Sequence, residues 1–506
     1  MPDFIDRFLN KITMYRLVLY YLIALLIVAI IFGQFGILPY NPIAIIFSVV
    51  VLFVVCLVTN ELCAIVFEAQ PNTESVYITA LILALIITPV MPTKIVAIPF
   101  LIWAAILAMA SKYILAIKNK HIFNPAALAV AITALTLGKS ASWWIGGNLP
   151  MMAFVILGGL LIVKKVHRFY MVGAFFIATV VTVMLTYSGN ALNSIPQLLL
   201  HTPIFFFAFI MLTEPLTAPP TMWLRVAYGA FVGVLFAPAI HLGTIYSTPE
   251  LALVVGNIFS YLVSPKDKLT LELKERKQIG PGIYEFVFNP GRKMEFEPGQ
   301  YMEWTLAHNH PDGRGNRRYF TLASSPTEND LRIGVKFYDQ PSSFKKELLS
   351  MDLGDKIIAG QRAGDFTMPR DKNKGLVFIA GGIGITPFRS MIKYLTDKGE
   401  RRPVTLFYSN RTASEIAYSD VFREAEMKIG LKTVYTLTDK ENIPKGWTGS
   451  TGQIGPETIL NNVPDYQNKT FYISGSYSMV ADIKKVLHGL GVADRRIRTD
   501  FFPGLA

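Results

Sequence analysis

LALVVGNIFSYLVSPKDKLTLELKERK, residues 251–277, changes character midway. Up to Val263 it is an apolar run almost long enough to cross a bilayer. Beyond VSPKDK (263–268) apolar and polar residues alternate, the pattern of a strand with one buried face. This junction divides the 506-residue chain into an apolar half and a polar half. The expected fold is multi-domain: a polytopic α-helical membrane domain over 1–265, an antiparallel β-barrel over 266–370, and an α/β domain with a parallel sheet over 371–506.

A hydrophobic content of 52% and a mean hydropathy of +0.39 exclude a purely soluble chain. Ten apolar segments precede the junction: 14–33, 43–60, 74–90, 95–111, 125–137, 149–163, 170–187, 203–213, 224–241 and 249–263. Several fall short of twenty residues, which predicts tilted or broken helices. With the N-terminus inside, the inner segments hold Arg7, Lys11, Arg16, Lys112, Lys118, Lys120, Lys164, Lys165, Arg168 and Arg225. The outer ones hold Lys94 and Lys139. That bias predicts a multi-pass protein of the cytoplasmic (inner) membrane, with both termini and the polar half cytoplasmic. The net charge of +12 is thus largely a topology signal, and nucleic acid is not an expected partner. Cys56 and Cys63 are too few for a disulfide framework or an iron–sulfur cluster. The opening MPDFIDRFLNKITMYR carries acids and lacks a small-residue cleavage site, so no removable signal peptide is expected.

Within the apolar half, FAFIMLTEPLTAPPT (207–221) runs a helix into a carboxylate, three prolines and three hydroxyls. Proline removes N–H donors and stops the helix, and the freed carbonyls need protected partners. Glu214 is expected at a helix end or in a polar cavity, since a mid-helix charge costs about 2.5–3.5 kcal/mol on insertion scales. ALIITPVMPT (84–93) ends the third segment in the same style. An offset of five segments would make the two halves an inverted repeat. Haem would want histidine pairs on facing helices, yet His121, His167, His201 and His241 fall one per loop or helix end. Glu61, Glu68 and Glu214 are candidates for carrying ions or protons.

In the polar half, KLTLELKERK, GIYEFVFNP and EFEPGQYMEWTL suggest short antiparallel strands. From GLVFIAGGIGITPFRSMIKYL onward the text alternates strand, glycine loop and helix, as a parallel sheet requires. RRYFT (317–321), PSSFKKEL (341–348), GGIGITP (381–387), SGSYSM (474–479) and TDFFPGLA (499–506) follow in an order that resembles the ferredoxin–NADP reductase superfamily, over roughly 270–506. The resemblance implies FAD and NAD(P)H as cofactors. Arg318 would meet the FAD pyrophosphate, Phe320 would lie along the flavin ring and Thr321 would face its reactive nitrogen, with Tyr319 in the same set. Ser342 and Ser343 open a helix whose N-terminus suits an anion. Gly382, Gly384, Thr386 and Pro387 form the nucleotide turn. Ser474 stands where the family often has cysteine beside the nicotinamide, followed by Gly475 and Met479. Phe501 is expected to cover the flavin, with Phe502 as the other choice. Arg411, with no acid before Glu415, tilts the choice toward NADPH, and Tyr418 is a candidate to stack on adenine.

TESVYITALILALIITP, KHIFNPAALAV and MLTEPLTAPPT resemble a membrane electron-transfer family: the subunit designated B in sodium-pumping NADH:quinone reductase and D in the related Rnf electron-transport complex. That family implies FMN and, in some members, riboflavin or a quinone site. It attaches FMN through a threonine about nine residues before the Thr-Asp/Glu-Pro motif. Here that position is Ile204, with Thr202 two residues earlier, so a flavin or quinone is expected to be held non-covalently. His121, Asn124, Thr202, Thr213, Glu214 and Thr217 are the candidate membrane site. The expected activity passes electrons from NAD(P)H through FAD into the membrane domain and on to a quinone, flavin or other acceptor, with other redox subunits as possible partners. The alternatives are a redox-driven ion transporter and a transmembrane ferric or haem-type reductase.

Overall fold

The computed structural model describes the chain apart from residues 1–4, 6, 7, 10, 11, 68–72, 118, 119, 187–190, 265–268, 309–311, 313, 314 and 503–506. Glu68 and the side chains of Phe501 and Phe502 lie outside the described residues. Residues Met1–Lys268 and Leu269–Ala506 form two compact units.

In the first unit five helices are long and apolar enough to cross a membrane: Met14–Gln34, Pro42–Val66, Ile95–Ile114, Leu149–Val166 and Phe169–Thr186. A sixth candidate, Ser194–His201 with Ile204–Met211, is bent by 65° at its break. The other four apolar helices, Thr73–Ile86, Pro125–Leu137, Met222–Phe236 and Pro249–Val263, have 13 to 15 residues. At 1.5 Å per residue they reach about 20–22 Å, short of a ~30 Å hydrocarbon core. Among the described residues, five or six of the ten expected segments are thus long enough to span by themselves, because hydropathy registers apolar runs but not where proline cuts them. Short helices begin where Pro125 and Pro249 occupy the first turn and Asn124 and Thr248 cap the first amides. The Thr73–Ile86 helix is buried throughout Ala80–Ile86, whereas the long helices leave one face outward.

The elements of this unit occur twice in the same order. Helices Met14–Gln34, Pro42–Val66, Thr73–Ile86 and Ile98–Ile114 lead to a hairpin, β1 (Ala116–Ile117) and β2 (Lys120–His121), and then to Pro125–Leu137. Helices Leu149–Val166 and Phe169–Thr186, the bent pair and Met222–Phe236 lead to β3 (His241–Leu242), β4 (Ile245–Tyr246) and Pro249–Val263. The most extensive helix contact pairs Met222–Phe236 with Phe169–Thr186. A Gly-x-x-x-Gly spacing permits it: a Cβ at Gly229 would lie 2.2 Å from the Met171 carbonyl oxygen, and one at Gly233 2.5 Å from that of Phe175.

In the second unit, β5 (Leu269–Gly280), β6 (Ile283–Asn289), β7 (Tyr301–Thr305), β8 (Arg317–Thr321), β9 (Leu331–Lys336) and β10 (Lys356–Ala363) pair antiparallel in the order β8-β7-β10-β5-β6-β9. Just past β8, the Ala323 amide donates to the Arg332 carbonyl of β9 at 2.8 Å, drawing the two edges together as in a barrel. Trp304, Phe286, Phe288 and Phe344 fill its core. Beyond it, β11 (Leu376–Gly381), β12 (Val404–Asn410), β13 (Lys432–Leu437), β14 (Ser450–Thr451), β15 (Thr470–Ser476) and β16 (Ile497–Phe502) form a parallel sheet, order β14-β13-β12-β11-β15-β16. Strand order reverses between β11 and β15, where open α/β sheets bind ligands beyond the strands' carboxyl ends.

Gly229→Val or Gly233→Val is expected to lower the melting temperature in detergent by forcing the two helices apart, overpacking costing about 1–3 kcal/mol. Gly173→Ala is the control, because nothing lies within 4 Å of its added Cβ. Thermal unfolding of the detergent-purified chain checks both.

Candidate active site

β11 ends at Gly381, and a short 3-10 turn over Gly382–Ile385 passes into helix Thr386–Lys398. Gly382 holds φ +52°, a conformation suited to glycine. A Cβ at Gly384 would sit 2.4 Å from the Ser474 carbonyl oxygen and 2.7 Å from the Gly475 Cα. The turn thus rests directly on the end of β15. Met479 packs over both strand ends: a Cβ at Gly381 would lie 2.0 Å from its sulfur, and one at Gly475 3.0 Å. Thr386 and Pro387 are buried in the first helical turn, with the Thr386 hydroxyl donating to the Ile383 carbonyl at 3.2 Å. Ser474 Oγ is wholly buried and finds no hydrogen-bond partner among the described residues. The glycine turn, Ser474, Gly475 and Met479 are brought together at the switch point. Phe501 enters through its backbone, paired with Gly475 in β15.

In the barrel, alternation along β8 puts Arg318 and Phe320 on one face. Both meet Phe344 of helix Ser343–Ser350: the Arg318 guanidinium is 5.2 Å from its ring centroid and the Phe320 ring 6.0 Å. Thr321 is buried at the strand's end. Tyr319 is a correction: it lies on the opposite face, half-exposed, its hydroxyl donating to Glu303 at 2.6 Å. Ser342 caps the helix through the Lys345 amide. The Ser343 amide donates to the Asp312 carboxylate at 2.9 Å, and its hydroxyl accepts from the Asp312 amide at 2.9 Å. That helix N-terminus therefore already holds an anion, supplied by the chain itself.

Two further expectations change. The Tyr418 ring is buried, with Arg389 5.7 Å from its centroid and its hydroxyl 2.8 Å from where a Gly334 Cβ would stand, so no face is open to adenine. Arg411 is exposed past β12, but Asp439, just past β13, lies 3.8 Å from it. Arg411 alone pointed to NADPH because this acid lies 28 residues further along the chain. Arg389 was also missed. Its guanidinium donates to the Ala323 carbonyl at 3.1 Å and forks onto Glu328, while Ser390 donates to the Ser324 carbonyl at 2.6 Å.

In the first unit, half-buried Glu214 follows a π-helical turn, Phe207–Met211, a geometry frequent at functional sites. Its carboxylate accepts from Asn124 Nδ2 at 2.8 Å and from the Thr217 hydroxyl at 3.0 Å. Asn257 accepts from the Asn124 amide at 2.8 Å and donates to the Tyr228 hydroxyl at 3.1 Å. Arg168 donates to the Thr213 carbonyl at 3.1 Å. Asn257, Tyr228 and Arg168 join Asn124, Thr213, Glu214 and Thr217; a lone asparagine in VVGNIF was the available signal. Thr202 is not drawn in, its hydroxyl donating to the Leu198 carbonyl before the bend. His121 ends β2, three residues before Asn124.

Residues 378–485 match the oxidoreductase NAD-binding domain family. Among curated relatives, the flavohemoprotein of Rhodopirellula baltica is 27% identical over 245 residues, covering 46% of this chain and 59% of its own length. The Na(+)-translocating NADH-quinone reductase subunit designated F, from Serratia proteamaculans, is 28% identical over 200 residues, 39% of this chain and 47% of that one. The flavohemoprotein of Bacillus subtilis is 30% identical over 215 residues, 41% and 52% of the two chains. The chain thus spans about half the length of the curated relatives it matches. Residues 378–485 thus carry an oxidoreductase NAD-binding domain, and the C-terminal half is similar to the matching parts of flavohemoproteins and of the NADH-quinone reductase subunit. The residues present fit both cofactors: a glycine turn without room for a Cβ, a buried hydroxyl beside it, and a buried arginine on β8.

Gly384→Ala is expected to weaken NAD(P)H binding by about five- to 150-fold while leaving FAD content unchanged. The added methyl meets backbone rather than a yielding side chain, at a cost of about 1–3 kcal/mol. Nucleotide titration of the flavin-loaded chain measures it.

Proposed function

We propose that the chain is a membrane-bound NAD(P)H dehydrogenase that passes electrons through FAD into its membrane unit and on to a quinone, flavin or other acceptor. One observation carries the reductase step. Arg389, two residues past Pro387, bonds the carbonyl of Ala323, two residues past Thr321, so the ends of the nucleotide turn and the flavin strand adjoin. Gly382 and Gly384 let backbone amides approach the nucleotide phosphates, and the helix beginning at Thr386 faces them with its positive end. Ser474 offers a hydroxyl to the nicotinamide side, with Gly475 and Met479 shaping the floor and Phe501 the cover. Arg318 and the Ser342–Ser343 helix terminus would hold the FAD pyrophosphate, Asp312 yielding its place, while Phe320 and Thr321 border the flavin ring. Bound FAD supplies the conversion of a two-electron donor's electrons into single-electron steps. Arg411 and Asp439 together leave both nicotinamide nucleotides as donors.

For the membrane unit, the resemblance to the membrane subunit of sodium-pumping NADH:quinone reductase and the repeated order of elements support ten membrane-entering segments in an inverted repeat. The basic inner loops support a cytoplasmic reductase half. Asn124, Thr213, Glu214 and Thr217 line the place where electrons enter, at a non-covalent flavin or a quinone. The intramembrane carboxylate of Glu214 also favours the second reading, a redox-driven ion transporter built on the same reductase.

Purified protein is expected to release FAD on denaturation and to leave no flavin fluorescence in the precipitate; retained fluorescence would establish a covalent flavin instead. Glu214→Gln is expected to cut quinone reduction by about tenfold or more, since a charge-assisted hydrogen bond is worth about 1.5–3 kcal/mol. Reduction of a soluble dye by NAD(P)H should be unaffected. Sodium- or proton-dependent turnover in vesicles decides between the two readings.

A further inference from the structure

The geometry points to Arg389 as a positioning residue for hydride transfer, acting with Glu328 to set the gap between the flavin strand and the nucleotide turn. The inference rests on the reductase reading above and adds a role that no motif marks. Arg389 is 5% exposed and lies in the first turns of the helix that the glycine turn opens. Among the described residues its hydrogen-bond partners come from the barrel segment directly after β8: the Ala323 carbonyl at 3.1 Å and both carboxylate oxygens of Glu328, one of them at 2.9 Å. Glu328 also accepts from the Ser325 amide at 2.7 Å and pairs with Arg332 at 3.3 Å. Arg332 in turn pairs with Glu285 of β6 at 2.7 Å.

Three further contacts close the same seam. Ser390 donates to the Ser324 carbonyl, Thr327 donates to Asp397 at the far end of the helix, and Tyr418, held at φ +59°, lies beneath the Arg389 guanidinium. A planar guanidinium forked on a carboxylate fixes both distance and angle, which a lysine ammonium does not. The fork therefore holds the turn that seats the nicotinamide nucleotide against the strand that borders the flavin. Arg389 itself is buried and engaged, so it is placed to act through Gly384 and Thr386 on one side and Thr321 on the other. Hydride transfer is sensitive to this gap: a misplacement of about 1 Å can cost on the order of 100-fold.

The test uses anaerobic stopped-flow reduction of the flavin in the full-length, FAD-loaded chain by NADH and NADPH. Arg389→Lys and Glu328→Gln are expected to slow flavin reduction by about ten- to 100-fold, with nucleotide Kd changed by less than about threefold. The primary deuterium isotope effect should rise and the nicotinamide–flavin charge-transfer band weaken, readouts that a merely structural role would not move. Ser390→Ala, which removes one hydrogen bond, should fall between these variants and the wild type, and it covers the case in which Arg389→Lys fails to fold. Folded variants that reduce flavin at the wild-type rate with an unchanged isotope effect would overturn the positioning role alone. Wild-type flavin that neither nucleotide reduces would overturn the reductase reading itself.

Discussion

The second unit depends on a backbone approach that tolerates no side chain at Gly384, whose ideal Cβ would stand 2.4 Å from the Ser474 carbonyl oxygen. β11 and β15 are neighbours in register, Ala380 opposite Ser474, yet the chain leaves the sheet from β11 through the glycine turn and from β15 into the Tyr477–Gly489 helix. Their carboxyl ends open the crevice where such sheets bind nucleotides. Filling it with a methyl group would separate the turn from the strand and carry the Thr386–Lys398 helix away with it. That helix also carries Arg389 and Ser390 to the segment after β8, so one glycine couples the crevice to that seam.

The first unit obeys a different constraint: broken helices among apolar neighbours must find internal partners for their freed polar groups. The chain meets it with side chains and loops from remote positions. The carbonyls of Ala84, Leu85 and Ile86 at the end of the Thr73–Ile86 helix accept from the Trp144 indole, the Ile145 amide and the Trp143 amide. Trp143 adopts φ +50° there, and its indole donates to Glu250 at 2.9 Å. In the second half of the unit, Arg168 takes the Thr213 carbonyl while Asn124 and Thr217 take the Glu214 carboxylate. Each break is thus sealed by groups from outside its own helix.

The parts legible in the sequence are those whose physics is local. A β11-type apolar run followed by a glycine turn, a two-residue alternation in RRYFT, and a proline after an N-cap are each written within about ten residues, so they could be read directly. What escaped is set by pairs distant along the chain. Arg389 and Glu328 are 61 residues apart, and Asn124 and Asn257 are 133 apart. Tyr418 misled because an aromatic after a nucleotide-binding strand reads equally as a stacking surface or as seam packing, and only the burial of its ring by Arg389 and Gly334 distinguishes them. Segment lengths misled for a related reason, since the apolar runs 74–90 and 224–241 continue past the helix ends at Ile86 and Phe236.

If electrons enter beside Glu214 as proposed, its surroundings limit what can be reduced there. Two neutral donors, Asn124 and Thr217, serve the same carboxylate oxygen, and Arg168 addresses the neighbouring main-chain carbonyls of Thr213 and Glu214. A carrier that gained an electron and kept the charge would face a like charge, at an energy that grows as the medium becomes less polar. A carrier that takes a proton with its electron avoids the penalty, and so does a site whose carboxylate is itself protonated or compensated by a mobile cation. On the proposed reading, a carboxylate at this place suits quinone- or flavin-type acceptors better than one of fixed charge. It also makes charge compensation at Glu214 the step on which either reading of the membrane unit turns.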